Sequence, residues 1–118
     1  MIHLINIENN AVLNEALNAE QAILYKHSTQ CGTSAYALDQ VRAFAQTQQD
    51  ELPIYVVKVI EDRPLSNQIA EHFGVHHQSP QVFLIRDGRQ VWNASHYRIT
   101  ESTLAKQTEK HFSAELQN

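Results

Sequence analysis

"KHSTQCGTSAYALDQV", residues 26–41, holds the only cysteine of this 118-residue chain, Cys31, with two residues between it and Ser34. Just before it, "AILYKH" (22–27) is a short apolar run that reads as a strand. Just after it, Ala37, Leu38, Val41, Phe44 and Ala45 recur at three- and four-residue spacing through about Gln48, which describes a helix with one buried face. Cys31 therefore stands where a strand hands over to a helix. Unpaired backbone N–H groups and the positive end of the helix dipole favour an anion at that place, and so favour a thiolate. An ordinary cysteine, with a pKa of about 8.5, is only about 3% ionised at pH 7, so such donors decide its reactivity. Ser34, one turn on, can offer a hydroxyl to the sulfur; Lys26 and His27 would add positive charge if they faced the same side. An inert core cysteine would sit on the interior face of an element, not at its first turn.

Working outward, the flanking segments fill in an α/β pattern. "IHLI" (2–5) suggests a first strand, and Asn9 or Asn10 can cap a helix carrying Val12, Leu13, Ala16 and Leu17. "PIYVVKVI" (53–60) is β-branched and nearly continuous in apolar character, which predicts a strand covered on both faces and hence the centre of the sheet. Pro64 suits a first helical turn, Leu65, Ile69 and Phe73 follow at four-residue spacing, and Gly74 is placed to end that helix. "QVFLI" (81–85) and "QVWNASHY" (90–97) flank "RDGR" (86–89), a strong hairpin signal. Thr100 can cap a last helix through about Phe112, with Ile99 and Leu104 as a hydrophobic staple. The order is β, α, β, α, β, α, β, β, α. A strand–helix–strand run implies a parallel crossover, and such sheets bind ligands beyond the carboxyl ends of their strands, where Cys31 lies.

Composition bounds the function. The length suits one domain, residues 1–118, able to bury roughly 65% of its unfolded surface without a disulfide or metal staple. A net charge of −4 with scattered Lys and Arg argues against a nucleic-acid-tracking surface and favours a small substrate or a protein partner. "MIHLINIENN" lacks the features of a secretion leader and no apolar run spans a bilayer, so a cytoplasmic protein without a membrane partner is expected. In that reducing setting a lone cysteine is either buried or reactive. His72, His76 and His77 are not fixed on one face and have no second ligand cluster, so no metal is expected. Trp92 and Tyr97 read as core or sheet-surface residues.

The element order, "KHSTQCGTS" ahead of the long helix, and "SPQVFLIRDGRQVW" with its proline opening the hairpin resemble a thioredoxin-fold protein, more narrowly the YtxJ-type monothiol bacilliredoxins, over roughly residues 3–112. That resemblance implies a mixed sheet of four to five strands flanked by helices. It also implies removal of bacillithiol from client proteins that carry it as a mixed disulfide, with bacillithiol as thiol co-substrate and no resident cofactor. Cys31 and Ser34 are then the candidate catalytic residues. Gly32, Thr33, Ser79, Pro80 and Lys26 are the candidate substrate-binding residues, Pro80 being the fold's cis-proline facing the cysteine and Ser79 offering its backbone. Some members carry proline where this chain has Gly32. Because bacillithiol ends in malate, Lys26 and Arg98 are the basic residues expected near the site. Two other readings stand beside this one. C-G-x-S also resembles the C-G-F-S of monothiol glutaredoxins that hold an iron–sulfur cluster, although Thr33 replaces the aromatic residue and "ASHYRIT" lacks their glycine-rich turn. A redox-inert adaptor is the third.

Overall fold

The computed structural model describes residues 4–48 and 51–112. Strands β1 (Leu4–Asn6), β2 (Gln21–His27), β3 (Ile54–Lys58), β4 (Gln81–Arg86) and β5 (Arg89–Ser95) form one sheet in the order β1-β3-β2-β4-β5. β1, β3 and β2 are parallel; β4 runs antiparallel to β2, and β5 antiparallel to β4. Helices α1 (Asn10–Leu17), α2 (Gly32–Thr47), α3 (Arg63–Phe73) and α4 (Glu101–Phe112) cover both faces.

Two-residue alternation along the strands sorts the apolar side chains into two cores. Ile23, Tyr25, Ile54, Val56, Val82 and Leu84 face α2 and α4, meeting Val41 and Phe44 of the one and Leu104 of the other. Ala22, Leu24, Tyr55, Val57, Phe83 and Ile85 face α1 and α3, meeting Leu13, Leu17, Leu65 and Ile69. The two cores explain why β2 and β3 are nearly unbroken apolar runs. They also correct one expectation. The centre of the sheet is β2, not 53–60, which lies second from the edge beside the three-residue β1. Continuous apolar character reports burial on both faces, and β3 shares that property with β2 without sharing its rank.

The helix ends follow their local chemistry. Asn9 caps α1 by accepting the Val12 N–H at 3.0 Å, Pro64 opens α3, and Gly74 closes it with φ 65°. Thr100 caps α4 by accepting the Thr103 N–H at 3.1 Å, with Ile99 and Leu104 buried beside it. β5 is shorter than the sequence suggested. It ends at Ser95, where His96 takes φ 56° and its N–H donates to Pro80 O at 3.1 Å, and residues 96–98 turn into a short 3₁₀ segment that carries Tyr97 off the sheet.

The β4–β5 turn is tied to the α1–β2 connection. Asp87 N–H donates to Glu20 O (2.9 Å) and Gly88 N–H to Ala19 O (3.0 Å). Asp87 and Gly88 both have positive φ, 52° and 76°, as a two-residue hairpin turn of this hand requires. A β-carbon on residue 88 would meet Leu17 O at 3.5 Å, so the strain of Gly88→Ala lies in the backbone. That variant is expected to lose about 1 kcal/mol of stability, read as a lower urea midpoint by Trp92 fluorescence.

Candidate active site

Helix α2 begins immediately after Cys31, whose extended backbone (φ −123°, ψ 124°) makes it the N-cap. Its carbonyl accepts the Ala35 N–H at 3.1 Å, starting the helical ladder. As a thiol, Cys31 makes no cap hydrogen bond. Ionised, it is favoured by the backbone N–H of Ser34 and then that of Thr33, with the hydroxyls of Thr33 and Ser34 adding to them against a smaller opposing effect of burial. The thiol is held below its ordinary value by these donors, and no cation is among them. Cys31 is partly exposed and free.

The serine two residues beyond Gly32 is an interior group. Ser34 is fully buried and its Oγ accepts the Ser28 N–H at 3.2 Å, which ties the loop 28–31 to the first turn of α2 and leaves the hydroxyl proton free. Beneath it, the Tyr25 phenol donates to Ser34 O at 2.9 Å. A phenol has one proton, so His27 Nδ1, 3.1 Å from the same oxygen, is the donor in that contact and His27 Nε2 carries the lone pair. Burial first, and the nearby Cys31 charge as well, raise the phenol above its ordinary value, against the hydrogen bond with Ser34. Burial holds His27 below its usual range, reinforced by the Arg42 and Lys58 charges and opposed by Glu61.

β4 begins at this end of the sheet. Antiparallel pairing sets Lys26 opposite Gln81, so the start of β4 lies at the same end of the sheet as the Cys31 loop. The Ser79–Pro80 peptide is cis and Pro80 is buried. Gln81 steadies the approach, its Nε2 donating to His76 O (3.1 Å) and its Oε1 accepting the Gln78 N–H (3.3 Å). Ser79 Oγ is buried with no partner among the described residues. Gly32 and Thr33 form the exposed and half-buried first positions of α2. A β-carbon on Gly32 would meet nothing within 4 Å, so glycine there is not a steric demand.

Lys26 is placed differently from the sequence expectation. Strand alternation sends Tyr25 and His27 to the α2 face and Lys26 to the α3 face, where it is fully buried. Its ammonium has only donors, so it donates to Nδ1 of His77 at 2.8 Å, and the His77 proton sits on Nε2. Burial lowers Lys26 to about 8, and burial followed by the Lys26, Arg63 and His76 charges lowers His77. Thus Lys26 and His27 do not act on the thiol as a cationic pair, and His77 is the partner of the buried lysine. Arg98 is exposed in the 3₁₀ segment. Tyr97 is 71% exposed and packs on exposed Tyr36, ring centres 6.0 Å apart, instead of belonging to the core. No group of three or more potential metal ligands occurs among the described residues.

The model of the monothiol bacilliredoxin BrxC family matches residues 3–104. Among solved structures, a provisionally assigned oxidoreductase with a thioredoxin fold is 32% identical and superposes with a TM-score of 0.81 over 87% of this chain and 91% of its own. Thioredoxin f2 of Chlamydomonas reinhardtii (13% identity, TM-score 0.71, 92% and 96% covered) and the thioredoxin NaTrxh of Nicotiana alata (18%, 0.68, 92% and 91%) share the fold.

Removing the Ser34 hydroxyl tests the thiol's environment. Ser34→Ala is expected to raise the Cys31 pKa, read by thiolate ultraviolet absorbance against pH. It should also cost about 1–2 kcal/mol, because the Ser28 N–H loses its partner. Lys26 makes a different prediction. Between about 8 and 10.5 the unfolded chain holds a proton that the folded Lys26 has released, so this group's contribution to stability rises with pH through that window. The unfolding free energy of wild type relative to Lys26→Met should therefore climb from pH 8 to 10.5; a flat difference would show that Lys26 is not desolvated.

Proposed function

Because this chain belongs to the monothiol bacilliredoxin family, a thiol redox family on the thioredoxin fold, we propose that it removes bacillithiol from proteins carrying it as a mixed disulfide, with Cys31 as nucleophile. The observation that supports this most directly is the single partly exposed cysteine at the N-cap of α2, held below its ordinary pKa by N–H and hydroxyl donors.

The steps balance without a resident cofactor. Cys31 thiolate attacks the bacillithiol sulfur of the client disulfide. That S–S bond breaks, the client leaves as a thiolate and takes a proton, and a new S–S bond joins bacillithiol to Cys31. A second, external thiol then attacks the bacillithiol sulfur of the adduct, leaving with it as a new disulfide and restoring Cys31 as thiolate. Ser34 positions the nucleophile through its hydroxyl, and having no sulfur it cannot resolve the adduct. Gly32, Thr33 and the Ser79–Pro80 segment frame the approach, the Ser79 backbone offering polar groups to an extended client chain. Lys26, turned to the opposite face of the sheet, is left out of this reading. Client proteins and the cytoplasm as site of action belong to the same proposal. Among the described residues no helix is long and apolar enough to cross a membrane.

The test is intact mass after mixing the protein with a bacillithiolated client. A gain of one bacillithiol on this chain, matched by its loss from the client, is expected. Cys31→Ser should abolish the transfer while retaining the wild-type urea midpoint within about 0.5 kcal/mol. Transfer that survives in Cys31→Ser would end the proposal.

A further inference from the structure

A groove of about 250 Å³ opens on the α2 face of the sheet, between β1, β3 and α2. Its polar lining includes His27, Arg42 and Lys58, with Thr29 beside them and Leu38 and Val56 supplying apolar surface. Parallel pairing puts His27 directly across from Lys58 on the neighbouring strand, and the two side chains share that face. Arg42 reaches the same space from α2. Thr29 precedes Cys31 by two residues, a reach of at most about 7 Å along the chain.

The electrostatics of this groove run against those of the whole protein. The chain carries 13 acidic and nine basic residues, yet here Arg42 and Lys58 both act on His27 as positive charges, after burial, and only Glu61 opposes them. Glu61 in turn accepts the Thr29 hydroxyl at 3.4 Å. The cavity of about 610 Å³ at the opposite end of β2 differs in sign, being lined by Glu20, Glu51 and Asp87 with Arg86. A guanidinium fork and an ammonium beside apolar surface match a carboxylate on a short carbon chain.

We propose that this groove is a carboxylate-binding subsite in which Arg42 and Lys58 hold the acidic end of the small thiol that Cys31 exchanges. Its use in exchange rests on the function proposed above; the binding of a carboxylate does not. An anion seated between Arg42 and Lys58 offsets the charges that help keep His27 neutral. Occupancy therefore makes His27 easier to protonate, and its ring reports on the groove.

The experiment titrates succinate into the protein and follows the His27 ring by NMR, in wild type, in Arg42→Gln/Lys58→Gln and in Arg89→Gln. The last removes one charge at the far hairpin. All three residues are exposed, so the core is untouched. A saturable shift, with His27 titrating at higher pH, is expected in wild type and Arg89→Gln and should vanish in the double variant. No saturable shift in wild type, an equal shift in the double variant, or inorganic phosphate binding as tightly as succinate would each overturn the assignment. A kinetic arm compares the reaction of Cys31 with a doubly carboxylated aromatic disulfide and with a neutral dipyridyl disulfide. The double variant should slow the anionic reagent roughly three- to ten-fold at low salt and leave the neutral one unchanged. Equal slowing of both reagents, or slowing by Arg89→Gln as large as that of the double variant, counts against it. Succinate binding without any transfer from a client would sink the exchange reading and support the groove.

Discussion

Strand β2 has both backbone edges paired, to β3 in parallel and to β4 in antiparallel register, and both faces buried. A strand so constrained cannot slip by one residue without turning every side chain to the wrong core. The active end inherits that rigidity. The pairing of Lys26 with Gln81 sets where β4 begins, and so where the cis-proline stands. The pairing of His27 with Lys58 sets the basic groove. Tyr25, fully buried on the same strand, fixes the first turn of α2 from below through Ser34 O. The cysteine is thus positioned by a strand it does not belong to.

Much of this was legible in the sequence, because the relevant signals are local. A strand-like run, a cysteine and a helical periodicity placed Cys31 at an N-cap; a D-G pair placed the hairpin; Pro64, Gly74 and Thr100 placed helix ends. The "KHSTQCGTS" segment, the proline before β4 and the order of elements carried the family resemblance. What was not legible depends on where a strand's faces point and what packs there. Lys26 adjoins the cysteine loop in sequence, yet strand parity turns it to the α3 face and gives it His77 as partner. Alternation through Ile23 and Tyr25 could have shown this, had the strand's interior position been known. Arg42 and Lys58, from α2 and β3, meet only through the fold. Tyr97 left the strand because His96 ends the ladder with a positive φ.

The site separates two tasks that a dithiol pair combines. Donors around Cys31 favour the thiolate, while the position one turn along the helix holds a buried hydroxyl engaged with Ser28. In the reaction proposed above, stabilising the nucleophile and resolving its adduct are therefore uncoupled, because the chain has no second thiol. The buried lysine serves neither task. It joins β2 to the loop before β4 through an imidazole, so these two segments at the Cys31 end of the sheet are linked beneath the surface.

That separation also sets how such a protein samples its surroundings. With one thiol, the exchange between free Cys31 and its adduct consumes one small-thiol disulfide and releases one small thiol. The equilibrium fraction of adduct then follows the simple ratio of disulfide to thiol in the pool. A protein closing an internal disulfide releases two small thiols instead, and its oxidised fraction follows the ratio of disulfide to the square of the thiol. Diluting or concentrating the whole pool shifts the second kind of protein and leaves the first unchanged. Under the proposed exchange, serine at position 34 thereby makes the Cys31 adduct a gauge of the pool's oxidation, indifferent to its size.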